Sequence, residues 1–214
     1  MITLYGVPRS RTLRCIWMLE ELGQPYRLET VTYRGGGTRT PEYLAVNPNG
    51  KIPALRDGDL VLWESLAINL YLAEKYGGGL WPATVEDRGR AGQWSHWAMG
   101  ELEGHLLTML EAAPVGEAEE VSAAVVSAEE VSAAVADAEA ALKKPLSILN
   151  DALTGRPHLL GADFSVADLN VAVIAAWGLW AGMDLSPHPA LHKWLTACLE
   201  RPAARKMIAM RNAQ

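Results

Sequence analysis

The segment of this chain that most constrains its fold runs from Asn47 to Leu55, with the sequence NPNGKIPAL. Pro53 is a candidate for a cis peptide bond, because cis bonds are nearly confined to the bond that precedes proline and occur in tight turns. The apolar residue before it, Ile52, indicates a loop whose backbone faces outward and can hydrogen-bond an extended peptide. The sequence therefore predicts a peptide-binding loop that leads into a short strand.

A second constraint is the pair Glu64-Ser65, which opens a predicted helix. Ser65 lies where the first turn of a helix leaves backbone N–H groups without partners. Those groups and the positive end of the helix dipole attract a carboxylate. A backbone-binding loop beside a carboxylate-binding helix start predicts a small acidic peptide as the ligand.

The order of the predicted elements indicates two domains of different class. A strand, a helix and a second strand come first, followed by a hairpin with its turn at Asp57-Gly58 and by another helix. This order is typical of a thioredoxin-like α/β unit, whereas the rest of the chain shows helical patterns only. We predict a thioredoxin-like domain over residues 1–79, a linker over 80–86 and an all-helical domain over 87–214. The predicted helices lie at about 10–22, 64–76, 87–112, 117–154, 165–183, 188–199 and from 202 onward.

The composition narrows the partners that the chain can have. Its 214 residues carry a formal net charge of −6, and most of the excess acid lies after Leu80. Nucleic acids and anionic membranes need basic surfaces, so neither is an expected partner. The longest apolar run, residues 171–183, is shorter than the roughly 20 residues that span a bilayer. The two cysteines, Cys15 and Cys198, form no motif, which favours a reducing, cytoplasmic setting.

Stretches that together indicate a known family are Leu4-Tyr5-Gly6, residues 10–14 (SRTLR), 19–23 (LEELG), 47–55, 64–68 (ESLAI), 164–170 (FSVADLN) and 189–191 (PAL) with Trp194. In this order they resemble the cytosolic glutathione transferases, of a bacterial type and of a serine-like or unclassified class. The resemblance covers nearly the whole chain. It implies a thioredoxin-like domain followed by an all-helical domain, glutathione as the co-substrate, no metal, and a homodimer.

The resemblance implies a glutathione-binding role for five residues. The backbone of Ile52 would pair with the cysteinyl unit of glutathione, and Pro53 would hold that loop in place. The carboxylate of Glu64 would face the α-ammonium group of the γ-glutamyl end, and Ser65 would face its α-carboxylate. Lys51 would lie near the glycyl carboxylate or near the γ-glutamyl end.

Ser10 is the leading candidate for the residue that activates the glutathione thiol. A free thiol has a pKa of about 8.5, and lowering it by two units requires about 2.7 kcal/mol of extra stabilisation of the thiolate. A hydroxyl donor, a helix N-terminus and a guanidinium group can supply this together. Ser10 stands at a predicted helix start between two arginines. Different alignments to the family leave Arg11, Thr12 and a backbone N–H as alternatives.

The second substrate is expected to be apolar and electrophilic, and to bind where the helical domain faces Ser10. Trp97 and Glu101 are the residues chosen for this pocket. They fall at helical spacing on the first long helix of that domain, together with Trp94 and His105. Aromatic residues at such spacing also form cores, so the spacing alone does not separate the two roles.

Three hypotheses for the function follow. The leading one is a glutathione transferase that stabilises the glutathione thiolate and conjugates it to an apolar electrophile, a detoxification reaction. The first alternative is a glutathione-dependent peroxidase that uses the same site. The second is a catalytically silent module that binds glutathione or another protein.

Other patterns are interpreted as structural. The spacing of Ser165 and Asp168 predicts a helix cap rather than a catalytic pair, and Cys15 is predicted to be a buried thiol. The five histidines lack the spacing of a metal site. The sequence EEVSAAV occurs twice, at residues 119–125 and 129–135, and predicts a solvated helical segment without chemistry.

Overall fold

The computed structural model describes residues 1–113 and 127–213, and its first part contains a four-stranded mixed sheet. The strands are β1 (Ile2–Tyr5), β2 (Tyr26–Glu29), β3 (Ala54–Asp57) and β4 (Leu60–Trp63). They lie in the order β2-β1-β3-β4, with β1 parallel to β2 and antiparallel to β3. The predicted hairpin is present, because β3 and β4 pair in antiparallel fashion. This topology confirms the predicted α/β unit.

The helices of this first part are α1 (Thr12–Glu21), α2 (Pro41–Leu44) and α3 (Ser65–Tyr76), with short 3-10 segments at Arg34–Arg39 and Gly78–Leu80. Helix α1 begins later than predicted. The Ser10 hydroxyl oxygen accepts the backbone N–H of Thr12 at 3.1 Å, and this bond holds the preceding residues in a turn. Every residue of α1 through Leu19 is buried, which confirms a helix that packs on several sides.

The remaining elements are helical, as predicted. They are α4 (Val85–Ala98), a π-helical turn (Met99–Glu103), α5 (Gly104–Ala112), α6 (Ala128–Leu153), α7 (Val166–Trp180), α8 (Pro189–Leu199) and α9 (Pro202–Asn212). The first copy of the repeat, 119–125, and the predicted start of its helix lie outside the described residues. The second copy, 129–135, lies at the beginning of α6, behind a capping box formed by Ser127 and Glu130.

Helix α7 is the centre of the helical part. All of its residues up to Gly178 are buried. The capping box predicted at its start is present, because Asp168 Oδ2 accepts the backbone N–H and the hydroxyl of Ser165 at 3.0 and 2.9 Å. Asp168 Oδ1 accepts two further bonds, from the N–H of Leu159 at 2.8 Å and from Trp194 Nε1 at 2.9 Å. This buried carboxylate therefore joins α7 to the preceding loop and to α8.

We expect Asp168→Asn to lower the free energy of unfolding by about 1–3 kcal/mol, because one buried oxygen becomes a donor that faces donors. Urea denaturation of the wild type and the variant measures this loss. Asp184→Asn is the matched control, since exposed Asp184 makes the same two bonds to Ser186 at 2.8 Å. The control is expected to stay within about 0.5 kcal/mol of the wild type. Equal losses in the two variants would contradict the central role of Asp168.

Helix α9 packs along α1 and fixes the far end of the chain against the first domain. Arg201 forms a bidentate ion pair with Glu21, with both N···O distances at 2.8 Å. Lys206 adds a second link to Glu20 at 2.7 Å. This anchoring brings the end of α9 close to the turn that precedes α1. Within residues 1–113 and 127–213, none of the helices has both the length and the apolar character needed to cross a membrane.

Candidate functional site

The first cavity of the site has a volume of about 630 Å³ and lies between the sheet domain and the π-helical turn. All five residues predicted to bind glutathione line it: Lys51, Ile52, Pro53, Glu64 and Ser65. The structure therefore brings the loop before β3 and the start of α3 together around one space.

The loop before β3 is held by side chains from outside it. The Ile52–Pro53 peptide bond is cis, which confirms that prediction. Asn47 Nδ2 and the Tyr43 hydroxyl both donate to the Lys51 carbonyl oxygen, at 2.7 and 2.6 Å. The position of this loop is therefore fixed before any ligand arrives.

Glu64 and Ser65 stand at the N-terminus of α3. Glu64 has a backbone φ of 72°, the only positive φ of a non-glycine residue in the described ranges. Such a conformation costs about 1–3 kcal/mol and is typical of ligand-binding sites. Glu64 is exposed, whereas Ser65 is buried and its hydroxyl oxygen accepts Arg14 Nη1 at 3.2 Å. The first turn of α3 thus presents an exposed carboxylate beside a helix N-terminus.

A buried cluster of charges closes the first cavity on the side of the helical domain. Arg14 is fully buried and donates to Glu103 Oε1 at 2.8 Å, and Arg11 pairs with the same oxygen. Burial alone would raise the pKa of Glu103, but the guanidinium groups of Arg14 and Arg11 outweigh it and hold this pKa below its ordinary value. Two cations and one anion leave the cluster with an excess of positive charge.

Arg14 and Glu103 were not predicted as site residues from the sequence. Arg14 lies within the apolar pattern of α1, and a charged residue at such a position is the one sequence signal that could have singled it out. Its Nε has no hydrogen-bond partner among the described residues, although its guanidinium group stacks 4.8 Å from the centre of the Trp177 ring. Arg14 thus links Ser65, at the start of α3, to Glu103 of the π-helical turn.

The second cavity has a volume of about 450 Å³ and lies between the turn before α1 and the helices α5, α7 and α9. Its apolar walls are Leu13, Leu107, Leu110, Trp177 and Trp180. Arg11 and Tyr33 line both cavities, so the two spaces meet at these side chains.

Ser10 lies on the wall of the second cavity, and Thr12 does not reach either cavity. The Ser10 hydroxyl lies 2.7 Å from the Val7 carbonyl oxygen and 2.8 Å from Thr12 Oγ1. Thr12 is fully buried. The Ser10 hydroxyl can donate to a ligand only by leaving one of these two oxygens, and Thr12 lies behind Ser10, away from both cavities.

Tyr33 is a third residue of the site that was not predicted from the sequence. Its hydroxyl lies 3.4 Å from both the backbone N and the carbonyl oxygen of Ile52. These are the two groups predicted to pair with the cysteinyl unit of glutathione. Tyr33 precedes the glycine-rich segment Arg34–Arg39, which has an irregular backbone. Such a segment has no periodic sequence pattern that would predict where the Tyr33 side chain lies.

Trp97 and Glu101 line neither cavity. Trp97 packs edge-on against Trp94, with ring centres 5.1 Å apart, and Glu101 is exposed. Their choice assumed one regular helix. The π-helical turn at Met99–Glu103 widens the helix there and changes which side chains face inward, so that Glu103 rather than Glu101 points to the site.

Neither cysteine of the chain can supply an accessible thiolate. Cys15 and Cys198 are both free and buried, as predicted for Cys15. Burial raises the pKa of both thiols. Across the two described ranges, no group of three His, Cys, Asp or Glu side chains is placed to hold a metal ion.

Two family models match the chain. Residues 1–74 match the N-terminal domain of glutathione S-transferase, and residues 114–202 match its C-terminal domain. The glutathione S-transferase GstB of Escherichia coli strain K12 is 34% identical over 97% of this chain and 98% of its own length. The disulfide-bond oxidoreductase YfcG of the same organism is 34% identical over 95% of this chain and 92% of its own length.

A solved structure of a theta class glutathione S-transferase from Xanthomonas axonopodis pv. citri, with glutathione bound, is also similar. It is 32% identical, has a TM-score of 0.81, and the match covers 96% of this chain and 95% of that one. These similarities extend over both parts of the fold.

Proposed function

This chain belongs to the glutathione S-transferase family, and from that premise we propose that it binds glutathione in the first cavity and transfers its thiolate to an electrophile in the second. The observation that carries the proposal is the junction of the two cavities at Arg11 and Tyr33. A peptide held in one space can there present a sulfur atom to a molecule held in the other.

Glutathione is proposed to lie with its γ-glutamyl end at α3. Its α-carboxylate meets the Ser65 hydroxyl and the N–H groups at the start of α3, and its α-ammonium group meets the Glu64 carboxylate. Its cysteinyl unit pairs with the Ile52 backbone, and Lys51 neutralises a terminal carboxylate. The support for this pose is that all these groups line one cavity.

The thiolate is proposed to form at the junction of the cavities. Ser10 donates its hydroxyl to the sulfur after leaving the Val7 carbonyl, and Arg11 contributes the excess positive charge of its cluster. The thiol proton passes to solvent. The sulfur lone pair then forms a bond to the electrophilic carbon, and the leaving group departs with the electrons of the broken bond.

The test of this function is turnover with glutathione and chlorodinitrobenzene. We expect dinitrophenylglutathione to form faster than in buffer, and Ser65→Ala to raise the KM for glutathione because a carboxylate contact is lost. Ser147→Ala, an exposed serine on α6, is the matched control and is expected to behave as the wild type. If the wild type binds glutathione but forms no conjugate, the transferase proposal fails and the silent module is favoured.

Tyr33→Phe is expected to tighten glutathione binding about two- to five-fold, because the hydroxyl occupies the backbone groups of Ile52 through long hydrogen bonds. Calorimetric titration of glutathione into wild type and variant measures the effect. Weaker binding by the variant would show instead that the hydroxyl contacts the ligand.

A second candidate function is the reduction of small disulfides, which the similarity to a disulfide-bond oxidoreductase favours. Because both cysteines of this chain are buried, the exchange would use glutathione alone. One glutathione thiolate attacks a sulfur of the disulfide and expels the first thiolate, which leaves a mixed disulfide. A second glutathione thiolate attacks the glutathione sulfur of this mixed disulfide, expels the other thiolate and forms oxidised glutathione. Assays with hydroxyethyl disulfide and cumene hydroperoxide, run beside the conjugation assay, separate this activity and the peroxidase alternative from transfer.

A homodimer and a cytoplasmic, detoxifying role complete the proposal. Support for a dimer comes from β4, at the edge of the sheet, where Leu60 and Trp63 are exposed at 39% and 42%. Exposed apolar side chains along a sheet edge favour burial against another chain. Analytical ultracentrifugation of the wild type and of Trp63→Lys measures the mass, and a monomeric wild type would contradict the dimer.

A further inference from the structure

The second cavity carries an unusual concentration of arginine for so acidic a protein. Arg9, Arg11 and Arg211 line it, although the chain has a net charge of −6. Glu111 is the one carboxylate among the described lining residues, and it is exposed. Among the described lining residues the cavity therefore presents three guanidinium groups, of which Arg11 shares Glu103 with Arg14, and one exposed carboxylate.

Arg211 lies against an aromatic side chain in the wall of the second cavity. Its guanidinium carbon lies 4.3 Å from the centre of the Trp180 ring. Burial, and after it the nearby Arg9 guanidinium, lowers the pKa of Arg211 below its ordinary value. A second cation nearby disfavours the charged form of Arg211, and an anion bound beside Arg211 would offset this effect.

Two ion pairs attach the helix that carries Arg211 to the first domain. The helix is tied to α1 by the pair Arg201–Glu21 and by the pair Lys206–Glu20. Arg211 itself is half-buried, and Asn212 Oδ1 accepts its Nη1 at 3.2 Å. A charged group that is already ordered loses little further freedom when it binds a ligand.

We propose that the second cavity selects a planar aromatic electrophile that carries a carboxylate, with Arg211 as the specificity-determining residue. This rests on the proposed transferase function and names its substrate class. The aromatic ring lies against Trp177 and Trp180, its carboxylate meets Arg211 on the side of α9, and its electrophilic carbon points to Ser10 and Arg11. The guanidinium fork matches a carboxylate in shape as well as in charge.

The test compares chloronitrobenzoate with chloronitrobenzamide of the same substitution pattern. In both, the glutathione sulfur forms a bond to the ring carbon and chloride leaves with the bonding electrons, so each rate is divided by its uncatalysed rate. We expect the wild type to favour the benzoate in normalised kcat/KM. Arg211→Gln is expected to reduce this preference about five- to ten-fold, because a charge-assisted hydrogen bond is lost from a partly exposed site.

Arg205→Gln is the matched control, since Arg205 lies on the same helix and is exposed. It is expected to keep the wild-type preference. Added sodium chloride is expected to weaken the preference of the wild type, as ions screen a charge contact. Equal values for benzoate and amide, or equal losses in the Arg211 and Arg205 variants, would overturn the inference while leaving the transferase function standing.

Direct binding measurements distinguish a failure of the inferred carboxylate selectivity from a failure of the transferase function. Dinitrobenzoate and dinitrobenzamide, which have no leaving group, are measured by equilibrium dialysis against the wild type and Arg211→Gln. Tighter binding of dinitrobenzoate that depends on Arg211 supports the selective cavity even if no conjugate forms with either chloro compound. Binding of dinitrobenzoate no tighter than that of dinitrobenzamide overturns it whatever the turnover.

Discussion

Ser10→Ala is expected to slow conjugation about tenfold at a pH below the pKa of bound glutathione, and to leave the rate nearly unchanged well above it. The Ser10 hydroxyl lines the second cavity and can turn from the Val7 carbonyl to a thiolate. If loss of the Ser10 donor raises the pKa of the glutathione thiol by about one unit, the thiolate fraction falls about tenfold at a pH below that pKa. Once the thiol is fully ionised, the loss has no such effect. The measurement is the pH profile of kcat/KM for chlorodinitrobenzene at saturating glutathione.

Arg11→Met tests the contribution of charge in the same profile. Arg11 lines both cavities, and its side chain remains 40% exposed. We expect removal of the Arg11 charge to shift the pH profile of kcat/KM toward higher pH, in the same direction as Ser10→Ala. A profile that moves for Arg11→Met and stays in place for Ser10→Ala would assign the activation to charge alone. Equal slowing of Ser10→Ala at every pH would mean that Ser10 acts on binding or on a later step.

Glu103→Ala is expected to lower the free energy of unfolding by about 3–5 kcal/mol, which is the usual cost of removing one partner of a buried ion pair. Glu103 is 5% exposed and is the acceptor for Arg14, a fully buried cation. Without it, the Arg14 guanidinium would remain buried next to Arg11 with no opposite charge. Urea denaturation of both proteins, with the midpoint and slope reported together, measures the loss.

Glu101→Ala is the control for this change, since it removes the same side chain from an exposed position of the same π-helical turn. It is expected to change stability by about 0.5 kcal/mol or less. A loss below 1 kcal/mol for Glu103→Ala would contradict the cluster. So would equal losses in the two variants, because they would place both carboxylates in similar surroundings.

The cluster of Glu103, Arg14 and Arg11 also predicts how the stability of the protein changes as the pH falls. The pKa of Glu103 is lower in the folded protein than in the unfolded chain, because Arg14 and Arg11 outweigh the effect of burial. Its contribution is therefore fully present above the unfolded pKa and is lost as the pH falls through the lower, folded value. We expect the wild type to lose more stability on acidification than Glu103→Gln does, as measured by urea denaturation over a pH series.

The parts of the site that could be predicted are those that local sequence determines. Ile52 and Pro53 specify a turn through the chemistry of one peptide bond, and Glu64 and Ser65 mark a helix start through their position before an apolar run. Each of these features depends on a few neighbouring residues. The same is true of the capping box at Asp168, which the sequence also predicted.

The parts that were missed depend on residues that lie far apart in the chain. Arg14 and Glu103 are separated by 89 positions, and their pairing exists only because the two domains pack together. The choice of Trp97 and Glu101 followed a regular helical period, which the π-helical turn interrupts. Arg211 reaches the second cavity because α9 folds back along α1, and no local pattern carries that information.

The most direct test of thiol activation by this protein is the pKa of the glutathione thiol when glutathione is bound to the wild type. Ultraviolet difference spectra follow thiolate formation as the pH is raised, with the protein and free glutathione as blanks. We expect the pKa of the bound thiol to lie at least one unit below the value of about 8.5 for a free thiol. Glutathione that binds with an unshifted thiol pKa would contradict it, because the Ser10 and Arg11 junction would then hold the peptide without activating it.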